Sequence, residues 1–261
     1  MSLPTRHSVT RQRVPLGTTT IAVQVLGAGP PLLLVHGLSG SARWWRYNAD
    51  ALASQFRVYL IDLAGFGASR GQRFVLSVAG ESLLALMDRL EIERASLIGH
   101  SMGGAVVADV AATYPERVER LVLVDAALMP FEMPLFAHAY RLLHEGRRLP
   151  LAFLPVLATD ALRAGPGTLL RAALEIRAID ARATLEHIRA PTLLVWGERD
   201  LLVPLALGRA LHQAIPASEL VVLTGAGHNA MWDCPLGFNR AVLGFLTGQS
   251  AVACERSIGC R

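Results

Sequence analysis

"LIGHSMGGAVV", residues 97–107, sets a serine between a histidine and a methionine, with glycines at 99, 103 and 104. Apolar residues stand on both sides. The run before the serine reads as the end of a buried strand, and the run after it as the first turns of a helix. A strand that turns directly into a helix forces its middle residue into a strained conformation and leaves that side chain standing clear. Small neighbours relieve the crowding, and the helix start beside it supplies free N–H groups and a positive dipole end. The spacing Gly99-x-Ser101-x-Gly103 therefore makes Ser101 a candidate nucleophile. The competing reading is a glycine-rich bend with an incidental serine.

On either side of this turn, short apolar runs alternate with helical patterns. Strands are expected within 18–27, 30–37, 57–69, around 95–99, 120–127, 190–200 and 219–228, with helices near 75–91, 102–113, 203–214 and 235–247. Near-continuous apolar runs such as "PPLLLVHG" suit strands buried on both faces. Strand–helix alternation of this kind predicts an α/β fold with a doubly wound, mostly parallel sheet. Residues 128–189 break the rhythm. They are rich in Leu, Phe, Met, Pro and Arg, and read as several short helices inserted over one end of the sheet. The expected division is a core of residues 1–127 and 190–261 with a helical cap at 128–189. A chain of 261 residues exceeds the usual single-domain length, but α/β folds of this size form one unit.

Composition removes several chemistries. All 25 cationic residues are arginine, so a P-loop lysine, a Schiff-base lysine and a Ser–Lys pair are impossible. The net charge of +4 is scattered rather than gathered into a stripe, which argues against a nucleic-acid partner. No apolar run reaches the ~18 residues of a membrane span, and the N-terminal stretch lacks a signal-peptide core. Neither H-E-x-x-H nor C-x-x-C occurs, so no metal is expected. Gly225-Ala-Gly227-His-Asn-Ala230 superficially fits a dinucleotide fingerprint, but no βαβ unit follows it. No cofactor is expected. The three cysteines, Cys234, Cys254 and Cys260, form a sparse odd set that points to a reducing, cytoplasmic setting. Cys254 and Cys260 are close enough in sequence to pair, yet a frayed tail is the expectation there.

A serine needs a base. Of eight histidines, His7 falls in a tail, His138, His144 and His187 in the inserted block, and His212 at a helix end. His36 and His100 flank motif glycines and read as structural hydrogen-bonders. His228 follows the last strand of the pattern, in "TGAGHNAMWDCP", on a loop able to carry an imidazole over neighbouring strand ends. Asp200 ends "LLVWGERD" and is the first choice for orienting that imidazole; Asp125, one strand earlier, is its rival, and a helix-capping role competes for both.

The chain order Ser101…Asp200…His228, with "VHGLSGS", "DLAGFGAS", "GHSMGG", "VWGERDLLVP" and "GAGH", resembles the α/β-hydrolase superfamily over about residues 18–247. Ala64 stands where the family's D-x-P-G-x-G-x-S stretch has proline, while Gly65 and Gly67 are kept. The resemblance implies an oxyanion hole made by the backbone N–H groups of Leu38 and Met102. Trp44, Trp45, Phe131, Phe136 and Trp232 are candidate substrate-binding residues, with packing as the alternative role for Trp44 or Trp45. The implied function is a serine hydrolase cleaving carboxylic esters of neutral, short-to-medium acyl chains, with a small-molecule ester as its partner. Family members with an aspartate nucleophile are set aside by Ser101. Lactone, thioester and C–C bond hydrolysis, and perhydrolysis, share the same residues and stay open. The rival of another class is a non-catalytic ligand-binding receptor on the same scaffold.

Overall fold

The structure, a computed structural model, describes residues 7–130, 149–249 and 255–260. Strands β1 (Thr10–Leu16) and β2 (Thr19–Leu26) form an antiparallel hairpin, with Gly17 at φ +60° in the turn. β1 falls in a stretch that carried no strand expectation. Val14 alone on it is buried, and arginines occupy 11 and 13, so the strand has almost no apolar signature. Pro15 is tolerated because β1 is at the sheet edge.

The expected parallel strands follow. They are β3 (Pro31–Val35), β4 (Arg57–Asp62), β5 (Ala95–His100), β6 (Val118–Val124), β7 (Thr192–Gly197) and β8 (Ser218–Leu223). With β9 (Glu255–Ile258), the described residues form one sheet in the order β1-β2-β4-β3-β5-β6-β7-β8-β9, antiparallel only at β1/β2 and β2/β4. Successive residues of a strand face opposite sides. Leu33 and Val35 pack into one core with Leu86, Met87, Val107 and Val110. Leu32 and Leu34 pack into another with Trp45, Leu52, Phe238 and Val242. Both faces are covered by helices, which is why the strands are apolar throughout.

Those helices are α1 (Ala49–Ala53), α2 (Ala79–Arg89), α3 (Met102–Thr113), α7 (Leu205–Ala214), α8 (Ala230–Asp233) and α9 (Pro235–Leu246). Among the described residues between β6 and β7 lie α4 (Leu154–Ala164), α5 (Pro166–Arg177) and α6 (Arg182–Leu185). Gly165, at φ +77°, separates the first two. Phe131 and Phe136 lie outside the described residues, as do His138 and His144. No helix of the described residues is long and apolar enough to cross a membrane.

The expectation of a frayed, unpaired C-terminus is corrected. β9 pairs in parallel with β8, and the Thr224 N–H donates to the Ile258 carbonyl at 3.0 Å. This carries Cys260 to the start of α9, where it forms a disulfide with Cys234 rather than with Cys254. Cys254 itself lies outside the described residues. "ERSI" is too short and too polar to announce a strand by pattern.

Candidate active site

β3, β5, β7 and β8 all deliver residues at their carboxyl ends, the end of an open parallel sheet where ligands bind. Ser101 sits between β5 and α3 with φ +50° and ψ −115°, a strained conformation for a residue with a side chain. Its N–H donates to the Val124 carbonyl at 2.9 Å, which ties the turn to β6. The glycines of the motif have steric causes. A Cβ on Gly99 would meet the Gly103 carbonyl oxygen at 2.3 Å, and one on Gly103 would meet the carbonyl oxygens of Val35 and His36 at 2.5 Å. A Cβ on Gly104 would meet Ala126 Cβ at 2.5 Å. The helix therefore starts pressed against β3 and the end of β6, and only glycine allows that approach.

His228 Nε2 lies 3.1 Å from Ser101 Oγ, and His228 Nδ1 lies 2.8 Å from Asp200 Oδ2. The other Asp200 oxygen accepts the N–H groups of Leu202 at 2.7 Å and Val203 at 2.9 Å. All three side chains are largely buried. With Nδ1–H donating to the Asp200 carboxylate, the Nε2 lone pair faces the serine hydroxyl. The loop bearing His228 also needs glycine: a Cβ on Gly197 would meet the Gly227 carbonyl oxygen at 2.1 Å.

Asp125, also at positive φ, does not reach His228. Its Oδ1 accepts the Gly197 N–H at 2.8 Å and its Oδ2 the Ala230 N–H at 3.3 Å. It thus fastens the end of β7 to the chain just after His228. Burial, reinforced by the nearby Asp200 carboxylate, pushes Asp125 well above the usual carboxylate range.

His36 and His100 hold backbone. His36 Nε2 accepts the Leu63 N–H at 3.1 Å, which leaves Nδ1–H to donate to the Gly37 carbonyl at 2.8 Å. The Gly40 N–H donates to the same carbonyl at 3.0 Å. Across a trans peptide the C=O and N–H point opposite ways, so pinning the Gly37 oxygen turns the Leu38 N–H to the other side of the loop. Both bonds of His36 require a neutral ring, and burial holds its pKa below the ordinary value against the pull of Asp62 and Asp160. His100 Nε2–H donates to the His228 carbonyl at 2.8 Å. Its Nδ1 is buried with no hydrogen-bond partner among the described residues, and burial pushes the ring well below the usual imidazole range. Met102 opens α3, so its N–H belongs to the first turn, where N–H groups lack an intrahelical acceptor.

The segment "DLAGFGAS" supports this loop. Asp62 accepts the Ala42 N–H at 2.6 Å and the Ala68 N–H at 2.7 Å. A Cβ on Gly67 would meet the Asp62 carboxylate at 2.4 Å. Gly65 and Gly67 stand at φ +84° and +51°, and the turn forms with Ala64 in place of proline.

Of the candidate pocket residues, Trp44 packs on Phe153 at 5.1 Å between ring centres and on His100 at 5.7 Å. Trp232 packs on Phe153 at 4.4 Å, and its Nε1–H donates to the Trp44 carbonyl. Trp45 is fully buried, 6.3 Å from Phe238, in a core position. Asp160 carried no site expectation. A signal was present, because Phe153, Val156 and Asp160 fall at helical spacing on the inward stripe of α4, where a carboxylate is unusual.

The chain belongs to the alpha/beta hydrolase fold family, whose pattern matches residues 30–148 and 157–235. It is 33% identical over 246 residues to a protein of Pseudomonas savastanoi pv. phaseolicola named as carbamate hydrolase RutD, covering 85% of this chain and 95% of that one. It is 34% identical over 240 residues, 84% of its length, to the dihydrolipoyllysine-residue acetyltransferase component of an acetoin cleaving system from Pseudomonas putida. The chain spans 64% of the length of that relative. Among solved structures, an esterase from Thermogutta terrifontis superposes with a TM-score of 0.79 at 25% identity, covering 92% of this chain and 98% of that chain.

Proposed function

We propose that the protein is a serine hydrolase cleaving neutral carboxylic esters of short-to-medium acyl chain. The observation that carries the reading is the line Ser101 Oγ, His228, Asp200, with contacts of 3.1 and 2.8 Å and the serine at φ +50°. Ser101 Oγ attacks the ester carbonyl while its proton passes to His228 Nε2. The imidazolium gains support from the Asp200 carboxylate. The N–H groups of Leu38 and Met102 meet the oxygen as it becomes negative; losing one such donor elsewhere costs about 3–4 kcal/mol of barrier. His228 returns the proton to the leaving alkoxide as the ester C–O bond breaks. Water, losing a proton to His228, then attacks the acyl-enzyme and releases the acid.

Helices α4, α5 and α6 act as the cap over this site. Phe153 from the cap side, with Trp44 and Trp232 from the body, forms an aromatic wall suited to an apolar acyl chain. An unpaired substrate carboxylate buried there would be costly. The test is kcat/KM across p-nitrophenyl esters from acetate to palmitate. Each added buried methylene should improve it by up to ~0.8 kcal/mol until the pocket fills, after which the rate falls. A flat profile, or best activity on a charged acyl group, overturns the apolar-pocket reading.

A second reading, carbamate hydrolysis, is favoured by the name of the RutD relative. The same attack on a carbonyl serves it, and O-alkyl carbamates placed in the same panel decide between the two.

A further inference from the structure

The inward stripe of α4 carries a buried carboxylate that the proposed chemistry does not use. Asp160 is 1% exposed. Its Oδ2 accepts the Ser41 hydroxyl at 2.7 Å, and its Oδ1 stands 3.0 Å from Arg43 Nη2. Arg43 Nη2 also donates to the Val156 carbonyl at 3.0 Å, so two groups of α4 are held from the same short stretch of body chain. Ser41 and Arg43 close the loop that begins at His36. The N–H of the next residue after Ser41, Ala42, donates to Asp62 at 2.6 Å. Two carboxylates, one from the body and one from the cap, thus grip consecutive residues of one loop.

That loop is strained. Ser39 stands at φ +61°, and a Cβ on Gly40 would meet His36 Cβ and Nδ1 at 3.0 Å. Strained backbone persists only where its surroundings over-determine it. Asp62 and His36 supply part of that constraint, and the cap supplies the rest through Asp160.

We propose that Asp160 is a positioning residue for the loop at 37–41: through Ser41 and Arg43 it makes the aim of the Leu38 N–H depend on the cap being seated. The inference rests on the reading of Leu38 as an oxyanion donor. It assigns the cap a part in rate as well as in substrate choice. Another tie between cap and body serves as a control. Glu175 Oε2 on α5 accepts the Leu76 N–H at 2.5 Å, on chain that does not belong to the Leu38 loop.

The experiment compares wild type with S41A, D160N, D160A, S41A/D160A and E175A. Steady-state hydrolysis of p-nitrophenyl butyrate and the rate of Ser101 labelling by a p-nitrophenyl alkylphosphonate are read beside thermal unfolding. S41A and D160A should lower kcat and the labelling rate together by about 10–100-fold, short of the loss of a whole oxyanion donor, with KM within about twofold. The double variant should fall little further than D160A, because both remove one linked interaction. D160N keeps an acceptor for Ser41 and should lie between. E175A should keep the wild-type kcat. Should D160A fail to fold, S41A, which deletes one hydroxyl, carries the test. Wild-type kcat in S41A and D160A, an effect confined to KM, or an equal loss in E175A overturns the proposal and leaves the nucleophile reading standing. Absence of Ser101 labelling in the wild type removes both.

Discussion

His228 Nδ1 meets Asp200 Oδ2 at 2.8 Å, while Asp125 turns both its oxygens to the backbone N–H groups of Gly197 and Ala230. The two buried acids therefore divide orientation of the imidazole from attachment of its loop.

That division predicts two separable losses. Asp200→Asn should lower kcat by about 10⁴, as for a triad acid elsewhere, with the fold retained. Asp125→Asn places an amide N–H₂ where a backbone N–H now finds an acceptor. It should lower stability by about 1–3 kcal/mol and leave most of kcat. Denaturant unfolding and steady-state kinetics on both variants check this; the reverse ranking would move the orienting acid to the end of β6.

The glycines predict steric losses. Gly103→Ala drives a methyl into the Val35 and His36 carbonyl oxygens, 2.5 Å from its ideal position. Both obstacles are backbone, so the helix start must shift. Overpacking of this kind typically costs 1–3 kcal/mol. Thermal unfolding should show it, and kcat should fall too because Ser101 moves with the helix. Gly244→Ala, where a Cβ meets nothing within 4 Å, is the control.

His100 predicts a pH effect on stability. Its folded pKa lies well below 6.5, the value expected in the unfolded chain. Between those two values the unfolded state binds the extra proton, so stability falls as pH drops below about 6.5 and is fully present above it. One such group contributes a slope of up to ~1.4 kcal/mol per pH unit. Asp125, with a raised folded pKa, acts in the opposite sense above its ordinary carboxylate range. The measurement is therefore a difference: unfolding free energy from pH 5 to 7.5 for wild type and His100→Gln. The wild-type curve should be the steeper below about pH 6.5, and equal slopes would contradict the assignment.

Most of the sheet was legible because β3 to β8 are buried on both faces and so are written almost wholly in apolar residues. α3 begins where its motif says, since Gly99, Gly103 and Gly104 have no other steric solution there. β1 and β9 were not legible. Edge strands need only one buried face: "TRQRVPL" spends most of its positions on solvent, and "ERSI" is short and carries a single apolar residue. The Cys234–Cys260 pairing depends on β9 and so shared its obscurity. At the site, the placement of Ser101, Asp200 and His228 after strands could be read from one-dimensional order. The tie from Asp160 to Ser41 could not, because it joins residues 119 apart through a block with little pattern. Trp45 shows the limit of residue type alone, for the same indole suits a pocket wall and the core position it occupies against Phe238.

The central claim is that Ser101 is the covalent nucleophile. The most direct measurement is intact-protein and tryptic-peptide mass spectrometry after treatment with an alkyl p-nitrophenyl phosphonate, run beside ester turnover for wild type and Ser101→Ala. One phosphonyl group should appear on the peptide containing Ser101, with turnover abolished in step. Ser101→Ala should take up none and lose about 10⁴–10⁶ in kcat. Near-normal turnover in Ser101→Ala, or labelling at another residue with Ser101 unmodified, would contradict the account.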